Sequence, residues 1–170
     1  MKVAPPATYS DWLPVLDRFR DGDDAVIDAM CSGSLDWTNV VAERWTARFS
    51  TAFDARLQAV SAHLQRAMDR AQGDPFSISR AMLGARRALE PLRQVAALPC
   101  APENVRSHFL ERLAQFVSRT QESLEASAKR VRSDAILKAV RDNPLTAPSA
   151  SSPAASDAQP PAGGGRRVLL

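Results

Sequence analysis

From residue 38 onward, apolar side chains return every three or four positions: Val41, Trp45, Phe49, Phe53, Leu57, Val60, Leu64 and Ala67 or Met68, with no Pro or Gly before Gly73. That spacing keeps one stripe on one face of an α-helix. Residues 38 to 71 therefore read as a single helix about 51 Å long at the α-helical rise. Asp74-Pro75 is a restart signal, a capping carboxylate followed by a proline whose missing N–H is not needed at the first helical position. The next stripe, Ile78, Met82, Ala85, Leu89, Leu92 and Ala96, predicts a helix over 75–98. Pro91 lies within it and is expected to bend the helix without ending it.

Leu98 to Pro102 reads as a stiff connector, and a third helix is predicted over 102–142, with Val105, Phe109, Leu113, Phe116, Thr120, Leu124, Ala128 and Val131 as its seam. Beyond Val131 the stripe slips, since Ile136, Leu137 and Val140 leave it. The end of this helix is expected to turn its face or peel away. Upstream, Ser10 reads as the cap of a short helix over 11–21 stopped by Gly22. Asp23 or Asp24 then opens a second short helix carrying Val26, Ile27 and Met30 and ending at Gly33. No strand alternation and no internal repeat is visible. The expected fold is all-α, an antiparallel bundle of three long helices with an N-terminal short helical hairpin.

The domain layout follows: a flexible N-terminus over 1–9, the bundle over 10–142, and a tail over 143–170. Ala, Ser, Pro and Gly dominate that tail, a composition that cannot offset its ordering entropy and predicts disorder. It ends on Arg166, Arg167, Val168, Leu169 and Leu170, two cations and three large aliphatics that the preceding stretch gives no reason to expect. These five are a candidate docking peptide on a tether with a reach of roughly 25 Å. The acids Asp21, Asp23, Asp24 and Asp28 are a candidate counter-site for the two arginines within the chain.

Composition sharpens the class. Ala is abundant and aromatics are 6% of the chain, which favours helix over sheet. No apolar run approaches the roughly 20 residues of a membrane span, and Pro5-Pro6 interrupts any signal-peptide core, so a cytoplasmic, non-membrane protein is expected. Arginine outnumbers lysine steeply alongside the many alanines, a pattern associated with GC-rich bacterial coding. The net charge of +3 is unevenly placed: residues 1–36 hold seven Asp against three Lys or Arg, and the excess of cations lies beyond. The densest cations, Lys129, Arg130, Arg132, Lys138 and Arg141, form a candidate anion-binding face, though no aromatic accompanies them for base stacking.

Chemistry-bearing residues are sparse. Cys31 reads as a buried thiol, and Cys100 as a thiol in an exposed loop between two prolines. Neither has a neighbouring His to activate it or a spacing that would bind zinc. His63 and His108 flank seam positions. Asp17, Asp21, Gly22 and Asp28 fall at calcium-loop spacing, but Phe19 and Asp24 occupy places that need an oxygen ligand and an apolar residue. The segment around Gly33 has helix-turn-helix order, but the helix that follows is too long and its start, Asp36 to Val41, offers no cation before Arg44 to read DNA. No phosphate-loop, dinucleotide, zinc-protease or serine-elbow motif occurs. The sequence thus predicts no catalytic residue, no metal and no cofactor. It points to a helical adaptor or scaffold that binds a protein partner or a second copy of itself. The alternatives are a nucleic-acid accessory protein using the basic face, and an effector or adaptor of a specialised secretion system.

Overall fold

A computed structural model describes residues 3–146, and over that range the chain is all-helical with no strand. α1 spans Tyr9–Arg20, and a single 3₁₀ turn at Asp24–Val26 leads into α2, Ile27–Cys31. α3 spans Asn39–Ala71, α4 Pro75–Ala96, α5 Glu103–Arg130 and α6 Asp134–Asp142.

α1 begins two residues before the position that Ser10 suggests. The Thr8 hydroxyl accepts the Asp11 amide, and the Asp11 carboxylate accepts the Thr8 amide at 2.9 Å. This reciprocal capping box satisfies two orphan donors, whereas Ser10 lacks an acid three residues on. The segment over 1–9, expected to be flexible, is packed where it is described: Pro6 is buried and its carbonyl accepts the Ser34 amide at 2.9 Å.

α3 ends in two left-handed residues, Gln72 at φ 46° and Gly73 at φ 83°, and the Asp74 carboxylate then accepts the Ser77 amide at 2.8 Å to start α4. The Ser77 side chain first, and then the Ser77 amide, hold the Asp74 carboxyl below its ordinary value of 3.8. A group lowered in the folded state stabilises above its unfolded pKa and loses that contribution as pH falls through the folded one. Asp74→Ala should therefore lower the melting temperature at neutral pH. The gap between variant and parent should close progressively below about pH 4 in a thermal-melt series, given the ordinary carboxylate range.

α4 continues unbroken through Pro91, and α5 lies antiparallel to it, so α3 and α5 run the same way. Gly84 sits mid-helix with nothing within 4 Å of where a Cβ would project. Gly84→Ala removes backbone entropy from the unfolded chain without a clash, and should stabilise by about 0.5–1 kcal/mol in denaturant titration.

The third long helix is the main departure from the sequence expectation. It is not continuous over 102–142 but stops at Arg130, and Arg132 turns the chain at φ 53°. The Ser133 hydroxyl then caps α6 through the Ile136 amide. The break has a physical cause: a continuous helix would carry Ile136 and Val140 off the α5 stripe, whereas α6 folds back and buries Ala139 and Val140 against α4 and α5. Past α6 the chain stays packed through Leu145, so the first residues of the expected tail belong to the body. Nearly buried Arg86 donates Nε and Nη2 to the Pro144 carbonyl at 3.1 and 2.8 Å, and Arg93 donates to the Leu145 carbonyl at 2.7 Å.

The core centres on aromatics from three helices, α1, α3 and α5. Trp45 stacks on Phe49 with ring centroids 4.6 Å apart, and Trp12 meets Trp45 edge-on at 5.4 Å. Phe109 meets the Phe49 ring edge-on at 4.5 Å, tying α5 to α3. The N-terminal acids are matched to arginines: Arg48 reaches Asp17 at 2.7 Å, Arg56 pairs with Asp24, and Arg18 with Asp23. Asp17 and Phe19 are helical, so no calcium loop forms, and the acidic counter-site expected for Arg166 and Arg167 is largely occupied from within.

Candidate functional site

α3 and α5 are joined by few direct contacts along their lower halves, with α4 beneath them, and a groove runs between the two helices. The separation arises from which residues meet. Near the top, Phe109 packs on Phe49 and Phe53, and Arg112 donates to Ser50 at 2.8 Å and to Asp54 at 2.7 Å. Below that clasp the facing positions are small or polar, namely Ser61, Gln65, Thr120 and Ser123, and nothing bulky bridges the helices.

The upper stretch encloses about 420 Å³, with buried Leu57 and Leu64 and half-buried Phe116 and Leu124 on its walls. The lower stretch encloses about 400 Å³ and brings in Met68, Ile78, Val131 and Ile136. Gln65 and Leu124 line both, so the two form one continuous groove. Its charge is polarised. Among the lining residues described, Arg112 and Arg119 mark the upper end, and Arg112 is spent on Asp54. Asp69 is the sole charged residue lining the lower end, where its carboxylate accepts only the Gln65 amide at 2.9 Å.

Phe116 and Leu124 lie on the α5 stripe that the sequence assigns to the core, yet each is only half covered, and Val131 on the same stripe is 67% exposed. Val117, off that stripe, is buried instead. α5 is thus rotated so that its buried edge serves α4 and α6 while the remainder of its apolar stripe opens onto the groove. Sequence periodicity marks such a stripe but not whether a neighbour covers it.

The basic residues expected to form one face are divided by the helix break. Lys129 and Arg130 end α5, Arg132 is in the turn, and Lys138 and Arg141 lie on the returning α6. Arg141 is engaged by Glu125 at 3.3 Å. The Gln121 amide first, and then Arg141, hold the Glu125 carboxyl below its ordinary value. Arg166, Arg167, Val168, Leu169 and Leu170 lie outside the described residues.

Cys100 is half-buried and not on an open loop, because the Trp37 indole donates to its carbonyl at 2.6 Å and draws the connector onto the core. Burial raises the Cys31 and Cys100 thiols above their ordinary value, which disfavours the reactive thiolate. His63 and His108 are both exposed, and His108 packs edge-on beside Phe109 at 5.1 Å. No helix among the described residues is long and apolar enough to cross a membrane. The chain matches no protein-family model, no curated protein and no solved structure.

Proposed function

We propose that the protein is a non-catalytic interaction module that holds an apolar segment of a protein partner along the α3–α5 groove. The observation that carries this reading is the pair Phe116 and Leu124, large apolar side chains left half-covered over a floor of Leu57 and Leu64. Removing the rest of each from water would contribute on the order of 1 kcal/mol. A handful of such contacts, offset by the cost of association, supports reversible binding of moderate strength. The rim between the two ends is Ser, Thr and Gln, and the charges at the ends offer contacts to a partner, Arg119 for an acidic residue and Asp69 for a basic one. Two half-buried free thiols fit a reducing, cytoplasmic setting.

The experiment is photo-crosslinking in cells, with benzoylphenylalanine placed at Ser123 on the groove rim or at Arg87 on the opposite side of α4. Protein adducts from Ser123 that disappear with Leu124→Gln, and that do not form from Arg87, are the expected result. Equal adducts from both positions would overturn the reading. So would adducts to nucleic acid that, when the crosslinking is repeated in lysate, form with a yield that falls steeply with salt, because phosphate contacts carry that dependence and an apolar groove does not.

A further inference from the structure

We infer that the lower end of the groove is the docking site for the chain's own segment Arg166 to Leu170, which reaches it within the same molecule. This rests on the groove being a binding surface for apolar segments, and adds which segment occupies it. The first support is chemical fit. Val168, Leu169 and Leu170 are three successive large aliphatics, and the lower stretch is walled by Met68, Ile78, Leu124, Val131 and Ile136.

Charge is the second support. Arg166 and Arg167 immediately precede the aliphatics, and Asp69 is the sole charged side chain lining this stretch, exposed and without a cationic partner among the described residues. Most of the N-terminal acids are taken, because Asp17, Asp21, Asp23 and Asp24 are already paired with arginines, and Asp28 alone among the candidate counter-site has no ion pair among the described residues.

Geometry is the third. Arg86 and Arg93 fix where the chain leaves the body, and the Leu145 amide donates to the Gln121 side chain at 3.4 Å. Gln121 lies three residues before Leu124 on α5, one helical turn from the groove wall, where side chains are about 5–6 Å apart. The residues between Leu145 and Arg166 can span up to roughly 65 Å when extended, several times the distance required. A linker of this length presents its end at an effective concentration of order mM, so even weak apolar contacts keep the groove occupied. The segment then acts as a built-in competitor: a partner gains access by displacing it.

The test is methyl NMR on full chain carrying ¹³C-methyl methionine. Met68 reports on the groove, and the fully buried Met30 and Met82 are internal controls. The Met68 resonance should differ between the parent and the variant Leu169→Asp/Leu170→Asp, while Met30 and Met82 stay in place. A synthetic peptide of residues 161–170 added to the variant should return Met68 toward its parental position. Asp69→Lys should weaken that titration about two- to fivefold, as loss of an exposed ion pair does. An identical Met68 resonance in parent and variant overturns the inference, as does a difference that vanishes on dilution, which would mean docking onto a second copy. If Met68 is unchanged while Ser123 adducts to partners still form, the groove reading survives and its occupant by this segment does not.

Discussion

Phe49→Ala should destabilise the fold by about 3–5 kcal/mol, the range for deleting a fully buried aromatic and leaving a cavity. Phe49 stacks on Trp45, touches Phe53 and receives the edge of Phe109, so it joins α3 to the start of α5 and, through Trp45, to Trp12 of α1. The ring is 1% exposed, and its neighbours are rigid indole and phenyl groups that cannot collapse into the space. Small helical domains hold only about 5–15 kcal/mol in total, so this variant should sit near the edge of folding at room temperature. Urea unfolding followed by far-UV circular dichroism measures the loss. A cost under about 1 kcal/mol would mean that the aromatic cluster is not the core.

Gly33→Ala should cost about 1–3 kcal/mol, as overpacking of a filled site does. An added Cβ would lie 2.8 Å from the Trp12 ring and 2.9 Å from Pro6. Neither neighbour is the flexible end of a long side chain. The Trp12 indole is held by its hydrogen bond to the Ser34 carbonyl at 2.9 Å, and Pro6 by the Ser34 amide bonded to its carbonyl. The close approach of the N-terminal strip to the loop after α2 therefore depends on the missing side chain. Gly84→Ala provides the contrast within the same protein: the same substitution with open space around it should raise stability. Comparing the two by thermal denaturation separates steric from entropic effects at glycine. If both variants destabilise alike, the space around Gly84 is not open in solution.

The long helices were legible in the sequence wherever a stripe is covered along its length. The α3 positions Trp45, Phe49, Phe53, Leu57, Val60 and Leu64 are all buried, as their spacing predicts. The end of the third helix was half legible. Displacement of Ile136 and Val140 from the stripe marks a change near Val131, but Ser133 as a cap and Arg132 in a left-handed turn depend on α6 finding a surface to cover. Contacts distant in sequence left no local trace. The Asp17 and Asp24 pairs with Arg48 and Arg56 join residues some thirty positions apart, and composition alone shows only an acidic segment and a basic one. The strap at Pro144 and Leu145 looks like tail in the sequence because its anchors, Arg86 and Arg93, sit on α4 and bind backbone carbonyls of any sequence.

The groove was the least legible feature, because Phe116 and Leu124 have the same spacing as core residues. Only their partial exposure in the folded chain separates a stripe that meets its neighbour from one left half-covered. The most direct measurement is therefore the reactivity of a thiol placed on that wall. Leu124→Cys and, separately, Leu89→Cys are made in a Cys31→Ser/Cys100→Ser background that also carries Leu169→Asp/Leu170→Asp, and modification by a maleimide is timed under native conditions. Leu124→Cys should react at a rate approaching that of an accessible thiol, while Leu89→Cys, whose site is fully buried, should react only through unfolding. If the two thiols are protected to the same degree, α3 and α5 close over Leu124 and there is no groove to bind a partner.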